Sequence, residues 1–187
     1  MYYSKFGQVT DFIGRLQDNS EHYYKNDKSV SDEVRFQALL SKAAYSLPTN
    51  TKLNDDSTSG TRFMDQLKQL SQDYPEFSDK ISNLEVLESS FDFIFLKDTR
   101  IIEINEQQGN QCHLAVRGTS LVSSQSTLIR DLVNDVQIFL GQSPHRVETL
   151  NNYYQQVSTN HPECLSWTGT GHSFGGRQIS ELSTLYP

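Results

Sequence analysis

Trp167-Thr168-Gly169-Thr170-Gly171-His172-Ser173-Phe174-Gly175-Gly176 decides the reading of this chain, because it sets a serine between two glycines at the end of an apolar run. In a G-x-S-x-G turn a strand stops, the backbone reverses into a helix, and the serine at the apex holds its hydroxyl exposed on a strained backbone: a nucleophile elbow. Gly171 and Gly175 leave space where a side chain would collide with the neighbouring strand and helix. The flanks suit such a turn. Cys164-Leu165-Ser166-Trp167 is short, mostly apolar and preceded by His161-Pro162, as expected of a buried strand. Beyond the serine, Ile179, Leu182 and Leu185 fall on one face of a helix. A Gly/Ser-rich loop and a phosphate-binding turn at a helix N-terminus are the competing readings; the order strand, glycine turn, helix favours the elbow.

Working outward, about 146 to 157 reads as a helix returning the chain to the nucleophile strand. Before it, Leu128, Ile129, Leu132, Val133, Val136, Phe139 and Leu140 make an amphipathic helix closed by Gly141. Arg130-Asp131 and Asn134-Asp135 on its polar face read as a solvated surface with local ion pairs. Cys112-His113-Leu114-Ala115-Val116 is an apolar strand ending in Arg117-Gly118-Thr119-Ser120. A glycine loop in that place, upstream of an elbow, is where a second oxyanion donor is expected. Glu106 to Asn110 reads as a turn, and Phe91–Leu96 and Ile101–Ile104 as two strands. Nearer the N-terminus, a helix capped by Ser29 or Ser31 carries Phe36, Leu39, Leu40, Ala43, Ala44 and Leu47 at helical spacing and stops at Pro48. A polar loop over 48–60 leads to a second helix over about 61–73, with Phe63, Met64, Leu67 and Leu70 as core residues. Ile81 to Leu87 forms a further short segment. Residues 1–28 are aromatic and polar without assigned chemistry, 29–84 form a helical region packing on the core, and 85–187 alternate strand and helix. The class is α/β, with a mainly parallel sheet flanked by helices.

Composition narrows the function. A formal charge of −7 and a pI near 5.1 argue against a nucleic-acid surface. No apolar run approaches a membrane span. Met1-Tyr2-Tyr3-Ser4-Lys5-Phe6 lacks the basic-then-apolar order of a cleaved signal peptide, which points to a cytoplasmic protein or one exported by another route. Cys112 and Cys164, each in an expected strand, read as buried free thiols, and no metal or cofactor is expected.

Three pieces together resemble a family: Val116-Arg117-Gly118-Thr119-Ser120, Asp131-Leu132-Val133-Asn134-Asp135, and Thr170-Gly171-His172-Ser173-Phe174-Gly175-Gly176 are similar to the class 3 (fungal-type) lipases. That family shows F-R-G-T or F-R-G-S at a strand end, D-x-x-x-D on a helix, and T-G-H-S-L-G-G at the nucleophile. Val116 stands here for its phenylalanine, Phe174 for its leucine, and Arg177-Gln178 for a small apolar pair. The likeness covers about residues 35 to 187. It implies an α/β-hydrolase core acting on lipids or other carboxylic esters. Ser173 would be the nucleophile, and the backbone N–H groups of Thr119 and Phe174 the oxyanion hole. Gly171, Gly175 and Gly176 would shape the elbow, and His172 would brace the turn rather than serve as base.

Such hydrolases place an acid and then a histidine after the serine. Here Glu181 is the only acid after Ser173 and no histidine follows it, while His22, His113, His145 and His161 all precede it and read as structural, the last two in turns beside prolines. The expectation is therefore the N-terminal part of a serine ester hydrolase, nearly inactive alone, with the nucleophile strand left as an open sheet edge able to pair with another chain. A thioesterase, acyltransferase or peptidase shares the elbow, and a binding module without chemistry is the non-enzyme alternative.

Overall fold

The computed structural model describes residues 31–47, 56–118, 143–172 and 174–186. Their order is α1 (Asp32–Ala43), a 3-10 turn (Ala44–Ser46), α2 (Asp56–Ser71), a second 3-10 turn (Pro75–Phe77) and α3 (Ser78–Ser82). Then come β1 (Leu84–Ser89), β2 (Phe93–Ile104), β3 (Gln107–Val116), α4 (Ser143–Asn160), β4 (Cys164–Gly171) and α5 (Phe174–Leu185). The helix expected around Leu128 to Leu140, with its Asp131 and Asp135, lies outside the described residues, as do His22, Thr119 and Ser173.

Local chemistry explains where these elements begin. The Ser31 hydroxyl accepts the N–H of Val34, and Asp32 and Glu33 sit in the first turn of α1, where the helix dipole favours negative charge. The second helix starts earlier than its apolar stripe suggested, since residues 56–60 form its first turns rather than a loop. His145 belongs to α4, not to a turn, because Pro144 fits the first turn of a helix, where no backbone N–H is needed. One long strand, β2, replaces the two expected across 91–104. The polar run Lys97-Asp98-Thr99-Arg100 stays in the strand, with its register shift, because Asp98 is buried against Arg100 while Asn110 Nδ2 donates to the Asp98 carbonyl at 2.9 Å. Strands β2 and β3 are joined through Asn105 and Glu106, both in the left-handed region at φ 51° and 66°, so the turn is tighter than the one expected over 106–110.

Among the described residues the sheet has four strands in the order β1-β2-β3-β4, and it is mixed rather than mainly parallel. Strands β1, β2 and β3 pair antiparallel as a meander, and β4 joins β3 in parallel. The parallel pair is the one whose connection is long enough to carry a crossover, with α4 inside it. Both faces are covered, so the central strands are apolar on both sides. Ile94, Leu96 and Ala115 meet Phe36, Leu40, Phe63 and Leu67 from α1 and α2. Phe93, Phe95, Leu114 and Val116 meet Leu150 and Val157 of α4 and Ile179 and Leu182 of α5. Leu185, expected on the inner face of α5, is exposed at the chain's end.

The two cysteines are joined, contrary to the expectation of free thiols: Cys112 on β3 and Cys164 on β4 form a disulfide with Cα atoms 5.6 Å apart. Adjacent strands of one sheet bring the two Cα atoms within the range such a bond needs. Nothing local in the sequence reports this, as 52 positions separate them.

Candidate active site

The glycines of the expected elbow and His172 lie at one end of the parallel pair. Val116 of β3 lies opposite Gly171 of β4, so the chain leaves both strands from paired positions, toward 119 on one side and 173 on the other. Strand β4 ends at Gly171 and α5 begins at Phe174, which leaves two residues for the reversal. Gly175 N–H donates to the carbonyl of His172 at 3.0 Å, tying the first turn of α5 back to the end of the strand.

The glycines are where the backbones touch. A Cβ on Gly171 would stand 2.5 Å from the carbonyl carbon of Gly175 and 2.8 Å from the nitrogen of Gly176. One on Gly175 would stand 2.5 Å from the carbonyl oxygen of Val116. One on Gly118 would meet the His172 carbonyl oxygen at 2.4 Å and the Tyr45 hydroxyl at 2.5 Å. These neighbours are mostly main-chain atoms that cannot swing aside, so the approach of α5 to β3 and β4 depends on bare backbone. Phe174, Gly175 and Gly176 are all buried, and Phe174 begins the helix.

Several polar side chains hold this end of the sheet, and the sequence reading named few of them. Arg117 Nη2 donates to Asp92 Oδ1 at 2.9 Å and Nη1 to the carbonyl of Leu47 at 3.1 Å, while its backbone N–H donates to the Asp92 carbonyl at 2.7 Å. The end of β3 is thereby joined to the loop before β2 and to the chain following α1. Tyr45, in the 3-10 turn after α1, places its hydroxyl 2.5 Å from His172 Nδ1. Burial pushes the Tyr45 phenol up and the His172 imidazole down from their ordinary values, so both are neutral near pH 7. His172 thus has the bracing hydrogen bond expected of it, and its partner is Tyr45, 127 positions away.

Deeper under the sheet, His113 is fully buried with Nδ1 2.6 Å from Thr168 Oγ1 and 3.1 Å from Gln37 Nε2. Gln37 Nε2 also donates to Glu33 Oε1 at 2.8 Å, and Lys80 Nζ reaches Glu33 Oε2 at 2.6 Å. Burial pushes the His113 imidazole down to about 4. Burial alone would raise the Glu33 carboxyl, but hydrogen bonds from Lys80 and Gln37 hold it below its ordinary value. Thr170 completes this layer, its buried hydroxyl donating to the Gln37 carbonyl at 2.9 Å. His161 sits in the turn before β4 with Nδ1 3.0 Å from Glu163 Oε1. Glu181, the only acid after Ser173, accepts from Arg177 Nε at 2.8 Å along α5. Among the described residues no group of three or more His, Cys, Asp and Glu side chains could hold a metal ion, and no helix is long and apolar enough to cross a membrane.

Comparison with known proteins leaves the site to speak for itself: no family model, no curated protein and no solved structure matches the chain.

Proposed function

We propose that the chain carries the nucleophile-bearing part of a serine ester hydrolase of the class 3 lipase type, built on an α/β-hydrolase core. The observation that carries the reading is the glycine packing around 173: a parallel strand ending at Gly171 runs within two residues into a helix whose Gly175 rests on the main chain of Val116. A G-x-S-x-G serine in that place is what an elbow requires. Ser173 attacks the ester carbonyl, and the N–H groups of Phe174 and Thr119 stabilise the oxyanion, each by about 3 kcal/mol. Lipids and other carboxylic esters are the substrate class. The 187 residues hold no histidine after Ser173, so alone they are expected to turn over esters slowly.

The test is active-site labelling. A biotinylated fluorophosphonate is applied to the protein purified from its source and to residues 1–187 alone, each beside Ser173→Ala. Labelling of the source protein at Ser173, lost in the alanine variant and weak in residues 1–187, is the expected result. A source protein that leaves the probe untouched would sink the reading.

A further inference from the structure

We propose that Tyr45 is a positioning residue for the elbow: its hydroxyl donates to His172 Nδ1, holds that ring as the Nε2–H tautomer, and clamps the residue before the serine to the Gly118 loop. The proposal rests on the reading of Ser173 as a nucleophile.

The geometry points to one junction of three chain segments. Tyr45 comes from the turn after α1, Gly118 from the end of β3, and His172 from the end of β4. The Tyr45 hydroxyl lies 2.5 Å from His172 Nδ1 and 2.5 Å from where a Gly118 Cβ would be, while the His172 carbonyl oxygen comes within 2.4 Å of that same Cβ position. The two rings pack as well, with centroids 5.8 Å apart at 53°. A neutral tyrosine has one proton to give, and the acceptor placed before it is the Nδ1 lone pair. A ring that accepts at Nδ1 carries its own proton on Nε2.

The consequence concerns spacing. The elbow and the loop expected to hold the second oxyanion donor leave adjacent strands at paired residues Val116 and Gly171. Oxyanion donors act only when held at hydrogen-bond distance from the developing charge, so the separation of these two chain exits has to be fixed. Backbone pairing ends at that register position, and just beyond it the Tyr45 hydroxyl bonds to His172 while packing beside Gly118. Arg117, next to Gly118, ties the same end of β3 to Asp92 and to the Leu47 carbonyl two residues beyond Tyr45.

The experiment has two readouts. On residues 1–187 labelled with 15N-histidine, long-range proton–nitrogen correlation reports the tautomer of His172. The wild type is expected to show Nδ1 as a hydrogen-bonded acceptor and Nε2 protonated, and Tyr45→Phe to move the Nδ1 resonance toward a free or mixed tautomer. On the source protein, Tyr45→Phe is expected to slow fluorophosphonate labelling of Ser173 roughly tenfold, the order of one lost neutral hydrogen bond. His172→Asn sets an acceptor oxygen near the position of Nδ1 and should keep most of the rate, whereas His172→Leu, a packing substitute with no acceptor, should lose it. A wild type that labels while Tyr45→Phe keeps pace overturns this proposal and leaves the hydrolase reading standing. A Nδ1 resonance that is unmoved in Tyr45→Phe overturns it too. An unlabelled wild type sinks the hydrolase reading and the proposal together.

Discussion

Reducing the Cys112–Cys164 bond should destabilise the protein by about 4 kcal/mol, and the figure follows from where the bond lies. Opening it frees a loop with a sequence separation of 52 residues in the unfolded chain. In the chain-entropy account the restored entropy is about 2.1 + 1.5R ln(52), roughly 14 cal/mol/K, or about 4 kcal/mol at 25 °C. A urea slope of about 2–3 kcal/mol/M, at the upper end for small proteins, converts that to a fall in midpoint of roughly 1.5 M. Trp167 is the only tryptophan, and its ring packs edge-on against Phe95 at 5.9 Å and Tyr154 at 5.4 Å. Its emission therefore reports on β2, β4 and α4 together. The assay is urea unfolding followed at Trp167, with and without dithiothreitol, beside the double variant Cys112→Ala and Cys164→Ala. Cys112 is fully buried, so the double variant should lose somewhat more than reduction alone. Coincident curves for the oxidised and reduced protein would refute the loop argument, and two titratable thiols in the unreduced native protein would refute the pairing.

Acid should weaken the fold well above the range in which carboxylates titrate. His113 is held neutral to about 4 in the folded protein against an ordinary 6.5. Between those values the unfolded chain binds the extra proton, so stability is complete above 6.5 and falls as the pH drops, by about 2 kcal/mol between pH 7 and 5. Urea midpoints at the two pH values test this, and His113→Asn should flatten the difference; an equal slope in that variant would show that another group is responsible. Gly175→Ala should cost about 1–3 kcal/mol, since the new methyl meets the Val116 carbonyl at 2.5 Å and the Arg117 backbone at 3.0 Å. Gly60→Ala, inside α2 and facing the side chains of Val86 at 3.2 Å and Ser89 at 3.7 Å, should be close to neutral, and thermal melts of the two glycine variants beside the wild type check both.

How much of this could be read in advance depends on the range over which each interaction acts. Helix α1 was legible because its cap, first-turn acids and apolar stripe all lie within one short segment, as were the inward-facing Ile179 and Leu182 of α5. Strand β2 was split in the reading because Lys97-Asp98-Thr99-Arg100 looks like a break. What keeps it a strand is Asn110 on the neighbouring β3, a partner that no local pattern contains. The sheet's direction was misjudged for a similar reason: strand–helix–strand order describes only the β3–β4 step, while β1 to β3 form an antiparallel meander with no helix between them. His113 read correctly as a core histidine from its apolar flanks. Tyr45 gave no warning, since at the end of a helical stripe it looks like any half-buried aromatic.

The long-range contacts that escaped the sequence reading are not scattered. The disulfide joins β3 to β4 near the start of β4, where Asn110 and Cys164 are register partners. Tyr45 and Arg117 act at the other end, where Val116 faces Gly171 and the strands stop. Between these ends the pairing carries Gln37, Thr168 and Thr170 on one face and Trp167 on the other. The one parallel pairing among the described residues is thus a covalent link at its base and a hydrogen-bonded junction at its tip. An antiparallel hairpin such as β2–β3 keeps its register through a tight turn, whereas a parallel pair joined by a long crossover has no such local restraint and must be fastened by residues from elsewhere in the chain. That requirement accounts for why the non-local contacts gather on β3 and β4. It also accounts for why the glycines at 118, 171 and 175, which let the fastened strands and α5 close to main-chain contact, sit at the tip where β4 gives way to α5.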